Sequence, residues 1–201
     1  MAIDVTDDDL LAAFLAAQRC FGERVHAVAE GQWQQPTPDT EWTVADLVAH
    51  LVDEHRWAAP LLHGHDLTTA GQIVRGTRNL PVDGGTGANL AESWDEAAAA
   101  SADAFSGDGA LGRSVALSRG ATPARTYIGE MTFDLVVHAW DLGRAIGFAG
   151  ALPGDVVERL YAQARDLGDL SPSGLFDAPV AVPDDASTLD KLVALTGRDP
   201  R

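Results

Sequence analysis

From Pro123 to Gly147 the chain runs without an internal proline, and its apolar residues recur at every third or fourth position. That spacing predicts an α-helix, with Pro123 suited to its first turn and Gly147 to its end. A helix this long and apolar must bury a face, and the surest cover is other helices. The other segments agree. "TDDDLLAAFLAAQRCFGERVHAVAE" opens with Thr6 and Asp9 in capping-box spacing and is predicted helical as far as Gly31. A loop broken by Pro36 and Pro38 leads to "TVADLVAHLVDEHRWAAPLLHG". There Thr43 and Asp46 repeat the capping box, and Pro60 marks a kink before a stop near Gly64.

Residues 65–88 are rich in glycine and threonine and read as a long loop, of the kind that borders a site. Residues 90–105 and "DVVERLYAQARDLG" read as further helices, "SVALSRG" is undecided, and the tail holds an extended stretch before a short terminal helix. No repeat or linker divides the chain. The expectation is one all-α domain over residues 1–201, a four-helix bundle with an extra helix and a short C-terminal extension.

Charge and cysteine content exclude several functions. Fourteen Lys and Arg against thirty Asp and Glu give a formal charge of −16. Such a chain repels phosphate backbones and anionic lipid, so neither nucleic acid nor a membrane surface is an expected partner. No apolar run is long enough to span a bilayer. The N-terminus is acidic where an export signal would be basic. Cys20 is the single cysteine, which rules out an internal disulfide and any zinc site built on cysteine pairs. These features point to a cytoplasmic protein.

Within the long helix, "FDLVVHAWDLGRAIG" sets Asp134, His138 and Asp141 among apolar residues. Positions four apart on a helix lie about 40° from each other. The face centred on His138 therefore carries Tyr127, Met131, Asp134, Leu135, Leu142 and Ala145. In the second helix, the face centred on His50 holds Thr43, Asp46, Leu47, Glu54, Trp57 and Leu61. If these faces meet, His50, Asp134 and His138 supply two imidazoles and a carboxylate, a set that leaves metal positions open for water or substrate. Plainer readings stand beside this one. Each histidine could donate to a backbone carbonyl, and Asp134 could simply pair with His138. Glu54 is a further ligand, acceptor or base, or else, with Asp53, a solvated helix edge. His55 is read as exposed on the far side of its helix, and His63 and His65 as a solvated turn. The tryptophans, Trp42 among them, read as core fillers, and Cys20 as a small apolar packer. The glycines Gly84, Gly85 and Gly87 lack the strand and lysine of a phosphate cradle.

"WTVADLVAHL" and "DLVVHAWDLGRAIG" resemble the two signature segments of the metal-binding domain of mycothiol-dependent maleylpyruvate isomerases, part of the DinB-like superfamily of helical bundles. The family's first ligand histidine falls on His50. Its second segment places an acidic residue on Asp134 and a histidine on His138, with Trp140 and Asp141 completing the motif. "TPDTEWTV" and the C-terminal "GLFDAPVAVPDDASTLDKLVALTGRDP" resemble an actinobacterial subgroup of stand-alone metal-binding proteins.

The resemblance implies a DinB-like fold and a divalent metal on His50, Asp134 and His138. Zinc comes first, with nickel, iron or manganese as alternatives. It also implies mycothiol or a similar low-molecular-weight thiol, and second-sphere acceptors at Asp46 and Asp141. Two departures bear on activity. The isomerases add a C-terminal domain where this chain offers a short tail, and they use glutamate where this chain has Asp134. Metal binding is therefore expected to carry over, and isomerisation itself is not. The function expected is a small-molecule enzyme using a metal-activated thiol or water, of transferase or isomerase type. The alternatives are a non-catalytic metal-stabilised bundle acting in sensing or as a homodimer, and a metal-free interaction bundle.

Overall fold

The computed structural model describes residues 5–39, 41–77 and 87–201. Seven α-helices and one β-hairpin are found among them. Helix α1 (Asp7–Val25) and helix α2 (Val44–Leu62) each begin at the expected capping box. Thr6 Oγ1 accepts from Asp9 N at 3.2 Å and Thr43 Oγ1 from Asp46 N at 3.2 Å, and each aspartate accepts from the threonine N–H in return. Helix α3 spans Leu67–Thr77, α4 Gly87–Ser106 and α5 Ala124–Ile146. Helix α5 ends at Gly147, whose φ of 73° is the left-handed conformation glycine adopts freely. Helices α6 (Gly154–Leu167) and α7 (Thr188–Leu195) pack on each other.

The bundle consists of α1, α2, α4 and α5. Helix α2 lies most extensively on α4 and α1 on α5, with α1–α4 and α2–α5 contacts closing the four-helix arrangement. Its interior is apolar and close-packed: Phe14, Phe21, Leu47, Leu51, Trp94, Phe105, Ile128, Leu135 and Leu142 are all at most 4 % exposed. Burying each such side chain stabilises the fold by about 1.5–3 kcal/mol. The Phe21 and Trp94 rings meet at 4.6 Å and those of Phe14 and Phe105 at 5.0 Å. The all-α expectation holds. No helix among the described residues is long and apolar enough to cross a membrane.

Two expectations are corrected. Residues 67–77, read as loop, form α3. Asp66 accepts from the Thr69 N–H at 2.8 Å and so caps a segment that its glycines and threonines disguise. Ala70 and Val74 are buried on it, and Gly71 lets it come close to α2, where a Cβ would stand 3.0 Å from the Trp57 ring. Residues 78–86 of the same predicted loop, including Gly84 and Gly85, lie outside the described residues.

Helix α1 stops at Val25 rather than running to Gly31. The Ala27 and Val28 amides bond three residues back, and a short 3-10 turn at Glu30–Gln32 docks on α5 through Gln32 Nε2, which donates to the Ile146 carbonyl at 3.1 Å. The undecided "SVALSRG" belongs to an antiparallel hairpin of β1 (Ser114–Leu117) and β2 (Gly120–Pro123), with Leu117 paired to Gly120. Val115 and Thr122 form its buried pair.

Candidate metal centre

Helices α2 and α5 bring His50, Asp134 and His138 together. One ligand atom from each lies within 4.8 Å of the others. The Asp134 carboxylate sits between the imidazoles, with Oδ2 3.5 Å from His50 Nε2 and Oδ1 3.2 Å from His138 Nε2. The two rings stand at 75° with centroids 5.4 Å apart, so both Nε2 atoms face the same carboxylate from different directions. Charge-assisted hydrogen bonds are shorter, about 2.7–2.9 Å. Two ligands each about 2.1 Å from a common ion, at tetrahedral or octahedral angles, stand about 3.0–3.4 Å apart. The 3.2 Å separation falls within that range and at the long limit of a direct hydrogen bond, and the 3.5 Å one lies just beyond both, so the three side chains are spaced for a divalent ion and for a direct ion-paired cluster alike.

The cluster has a closed side and an open side. His138 is almost buried, whereas the side chains of His50 and Asp134 keep 30 % and 33 % of their exposure. Trp42 packs against the core as expected and also covers the histidines, its ring 4.7 Å from His50 and 5.6 Å from His138. It is carried by the 33–43 loop. That loop is held by Thr37 N and Thr37 Oγ1, both donating to the Trp42 carbonyl at 3.0 Å, and by Val44 N donating to the Gln35 carbonyl at 2.9 Å.

Behind His138, Nδ1 faces Asp141 Oδ2 at 3.0 Å. Asp141 is wholly buried and is gripped by Arg198, Nε to Oδ1 at 3.2 Å and Nη2 to Oδ2 at 2.9 Å. The same Nη2 reaches Asp39 Oδ2 at 2.8 Å. Asp39, His138 and Asp141 also lie within ligand distance of one another, but the Arg198 guanidinium already supplies their positive charge. Asp141 thus stands where an acceptor for a ligand histidine belongs. Asp46, the other candidate acceptor, is spent on the α2 capping box, taking 2.6 Å and 3.0 Å bonds from Thr43.

Electrostatics follow from this crowding. Burial works against the His138 imidazolium, but the Asp134 carboxylate and then Asp141 outweigh it and push His138 up to about 9. Burial would raise Asp134; the two imidazoles overcome it and hold the carboxyl well below its ordinary range. Glu54 is not a solvated edge. It is half-buried, and burial, followed by the nearby Asp134 charge, raises its pKa against the opposing pull of His50.

His55 is not exposed either. It is fully buried because α2 is covered on two faces, by α5 on one and by α4 on the other. Its Nδ1 meets Ser101 Oγ at 2.7 Å, Phe14 and Trp94 enclose the ring, and burial lowers its pKa to about 3. Tyr127 is buried core, and Trp57 is half-buried against α3. His63 and His65 are exposed, as expected, and Cys20 is a buried packer whose thiol is pushed up by burial. Arg198, Asp39 and the position of Trp42 were not legible as site features. The hint was that "TPDTEWTV" and the terminal segment belong to the resemblance, since the first brings Asp39 and Trp42 and the second Arg198.

A four-helix bundle with a His–Asp–His cluster between two helices defines a class. The match to known proteins defines the family. Residues 14–143 match the family model described as the mycothiol maleylpyruvate isomerase N-terminal domain, and the chain belongs to that family. Two Mycobacterium tuberculosis proteins, from strains CDC 1551 and H37Rv and each described as uncharacterized, are 32 % identical over 200 residues. The match covers 96 % of this chain and 100 % of each relative. Among solved structures, the mycothiol-dependent maleylpyruvate isomerase superposes with a TM-score of 0.61 at 17 % identity, covering 80 % of this chain and 70 % of that one. A variant of it with one histidine changed to alanine superposes with the same score at 16 %. At such identity the likeness shows a shared fold alone.

Proposed function

We propose that this chain acts as one domain that binds a single divalent metal ion, zinc in the first instance, through His50 Nε2, the Asp134 carboxylate and His138 Nε2. The ion would serve chemistry on a small molecule with a low-molecular-weight thiol of the mycothiol kind. The observation that supports the reading is the convergence of one donor atom from each of the three side chains within 4.8 Å. The thiol is inferred from the related isomerase, which is mycothiol-dependent by description.

A bound divalent ion supplies Lewis acidity that lowers the pKa of a coordinated thiol or water to near neutrality. The residues of the chain do the rest. Asp141 accepts the His138 Nδ1–H and leaves Nε2 free to ligate. Trp42 shields the imidazoles from water on one side. The half-exposed flank of His50 and Asp134 is the side from which a thiol enters. Glu54, one turn beyond His50, is the group to take the thiol's proton.

The alternative is a closed structural site, with Glu54 as fourth ligand in a metal-stabilised, non-catalytic bundle. Against it, no Glu54 oxygen joins the atoms gathered within 4.8 Å among the described residues, so three protein ligands converge, the number a catalytic zinc keeps.

Cobalt-substituted protein tests the open position. Added small thiols should shift the visible bands and introduce a sulfur-to-cobalt charge-transfer band in the near ultraviolet. A spectrum indifferent to every thiol would refute thiol binding while leaving the metal site intact.

A further inference from the structure

Arg198 reaches the back of the cluster from the far end of the chain, beyond the residues 14–143 that the family model matches. Its place is set by the end of α7. Thr196 N and Arg198 N both donate to the Val193 carbonyl, at 3.0 and 3.1 Å. Between them Gly197 turns with φ of 86°, where a side chain would collide with Asp177. Held in this way, the guanidinium is only 8 % exposed and grips both oxygens of Asp141. Asp141 is 0 % exposed, and the oxygen taking the 2.9 Å bond from Arg198 also faces His138 Nδ1 at 3.0 Å.

We propose that Arg198 is a positioning residue for the metal centre: it locks Asp141 as the acceptor for the His138 Nδ1–H, and so fixes the ring whose Nε2 ligates the ion. The proposal rests on the reading of His50, Asp134 and His138 as metal ligands. Its physical basis is that a buried carboxylate with one imidazole partner can swing about its side-chain torsions. One held on both oxygens by a planar fork cannot. Outer-sphere partners of ligand histidines contribute about 10–100-fold to metal affinity. Here that contribution depends on a terminal segment that shares no helix with any ligand. The segment therefore completes the site.

A double-mutant cycle on zinc affinity, read by chelator competition on the full chain, tests this. Arg198→Met should weaken zinc binding about 10–100-fold and shift the visible spectrum of the cobalt form. In an Asp141→Ala background, Arg198→Met should cost nothing further, because its effect passes through Asp141. Arg198→Lys, which keeps the charge but loses the fork, should recover part of the affinity. It also provides the comparison if Arg198→Met does not fold, and in that case it should still bind more weakly than wild type. Wild-type affinity and an unchanged cobalt spectrum in Arg198→Met or Arg198→Lys, with wild-type zinc binding normal, would overturn this proposal alone. So would costs that add fully in the double variant. A wild-type chain that takes no zinc would overturn it together with the metal reading.

Discussion

His55 and His138 are both nearly buried histidines in one bundle, yet their surroundings drive them in opposite directions. With no ion bound, His138 has carboxylates at both ring nitrogens, which push its pKa up to about 9. His55 has Ser101, Gln18 and two aromatic rings around it, with Asp134 and His50 acting only from a distance, and it stays neutral down to about pH 3. Between pH 3 and the ordinary value of 6.5 the unfolded chain binds a proton at His55 that the folded chain does not. Stability contributed by the neutral His55 is therefore complete above pH 6.5 and falls with acidification, by about 1.4 kcal/mol per pH unit. His55→Gln should show a shallower loss of urea-unfolding stability from pH 6.5 to 4.5 than wild type. Parallel curves would contradict the neutral burial of His55. The same pair marks what the sequence could tell. The helical angles separate His50 from His55, and the cluster facing α5 was legible from them. That α2 would be covered on its other face was not, since it depends on where α4 lies.

At the scale of elements, local chemistry was read where the chain announces it. Both capping boxes, the Pro123 start and the Gly147 end of α5 are written in residue types with one strong conformational preference. Helix α3 was missed because Gly71 and Gly76 are poor helix formers, and its order comes from packing on α2 and the Asp66 cap. The capping of α2 matters to the site, since that helix carries His50. Thr43→Ala removes the hydroxyl that accepts from Asp46 N and should lower unfolding stability by about 1 kcal/mol in urea denaturation. Metal affinity should change little, because His50 lies two turns away. A loss of zinc binding as large as that of His50→Ala would show that α2 frays as far as the ligand. Leu135, fully buried beside Asp134, should cost about 2–5 kcal/mol as alanine in the same measurement.

For the whole molecule, the proposed ligands come from two helices, so the proposal couples metal binding to the fold. An ion that binds the folded chain and not the unfolded one stabilises it by about 2.7 kcal/mol at a hundredfold excess over Kd. Zinc should raise the thermal midpoint of the metal-free protein, and a chelator should reverse the shift; a midpoint indifferent to both would argue against coupling. Metal-free, Asp134 brings one carboxylate between two imidazoles. An ion is the arrangement that uses all three as donors. Titration of the metal-free chain with zinc, alongside His50→Ala, Asp134→Ala and His138→Ala variants verified as folded by circular dichroism, tests this most directly. The expected result is one equivalent bound per wild-type chain, with affinity falling at least tenfold in each of the three variants. Wild-type affinity in folded His50→Ala or His138→Ala would contradict the account.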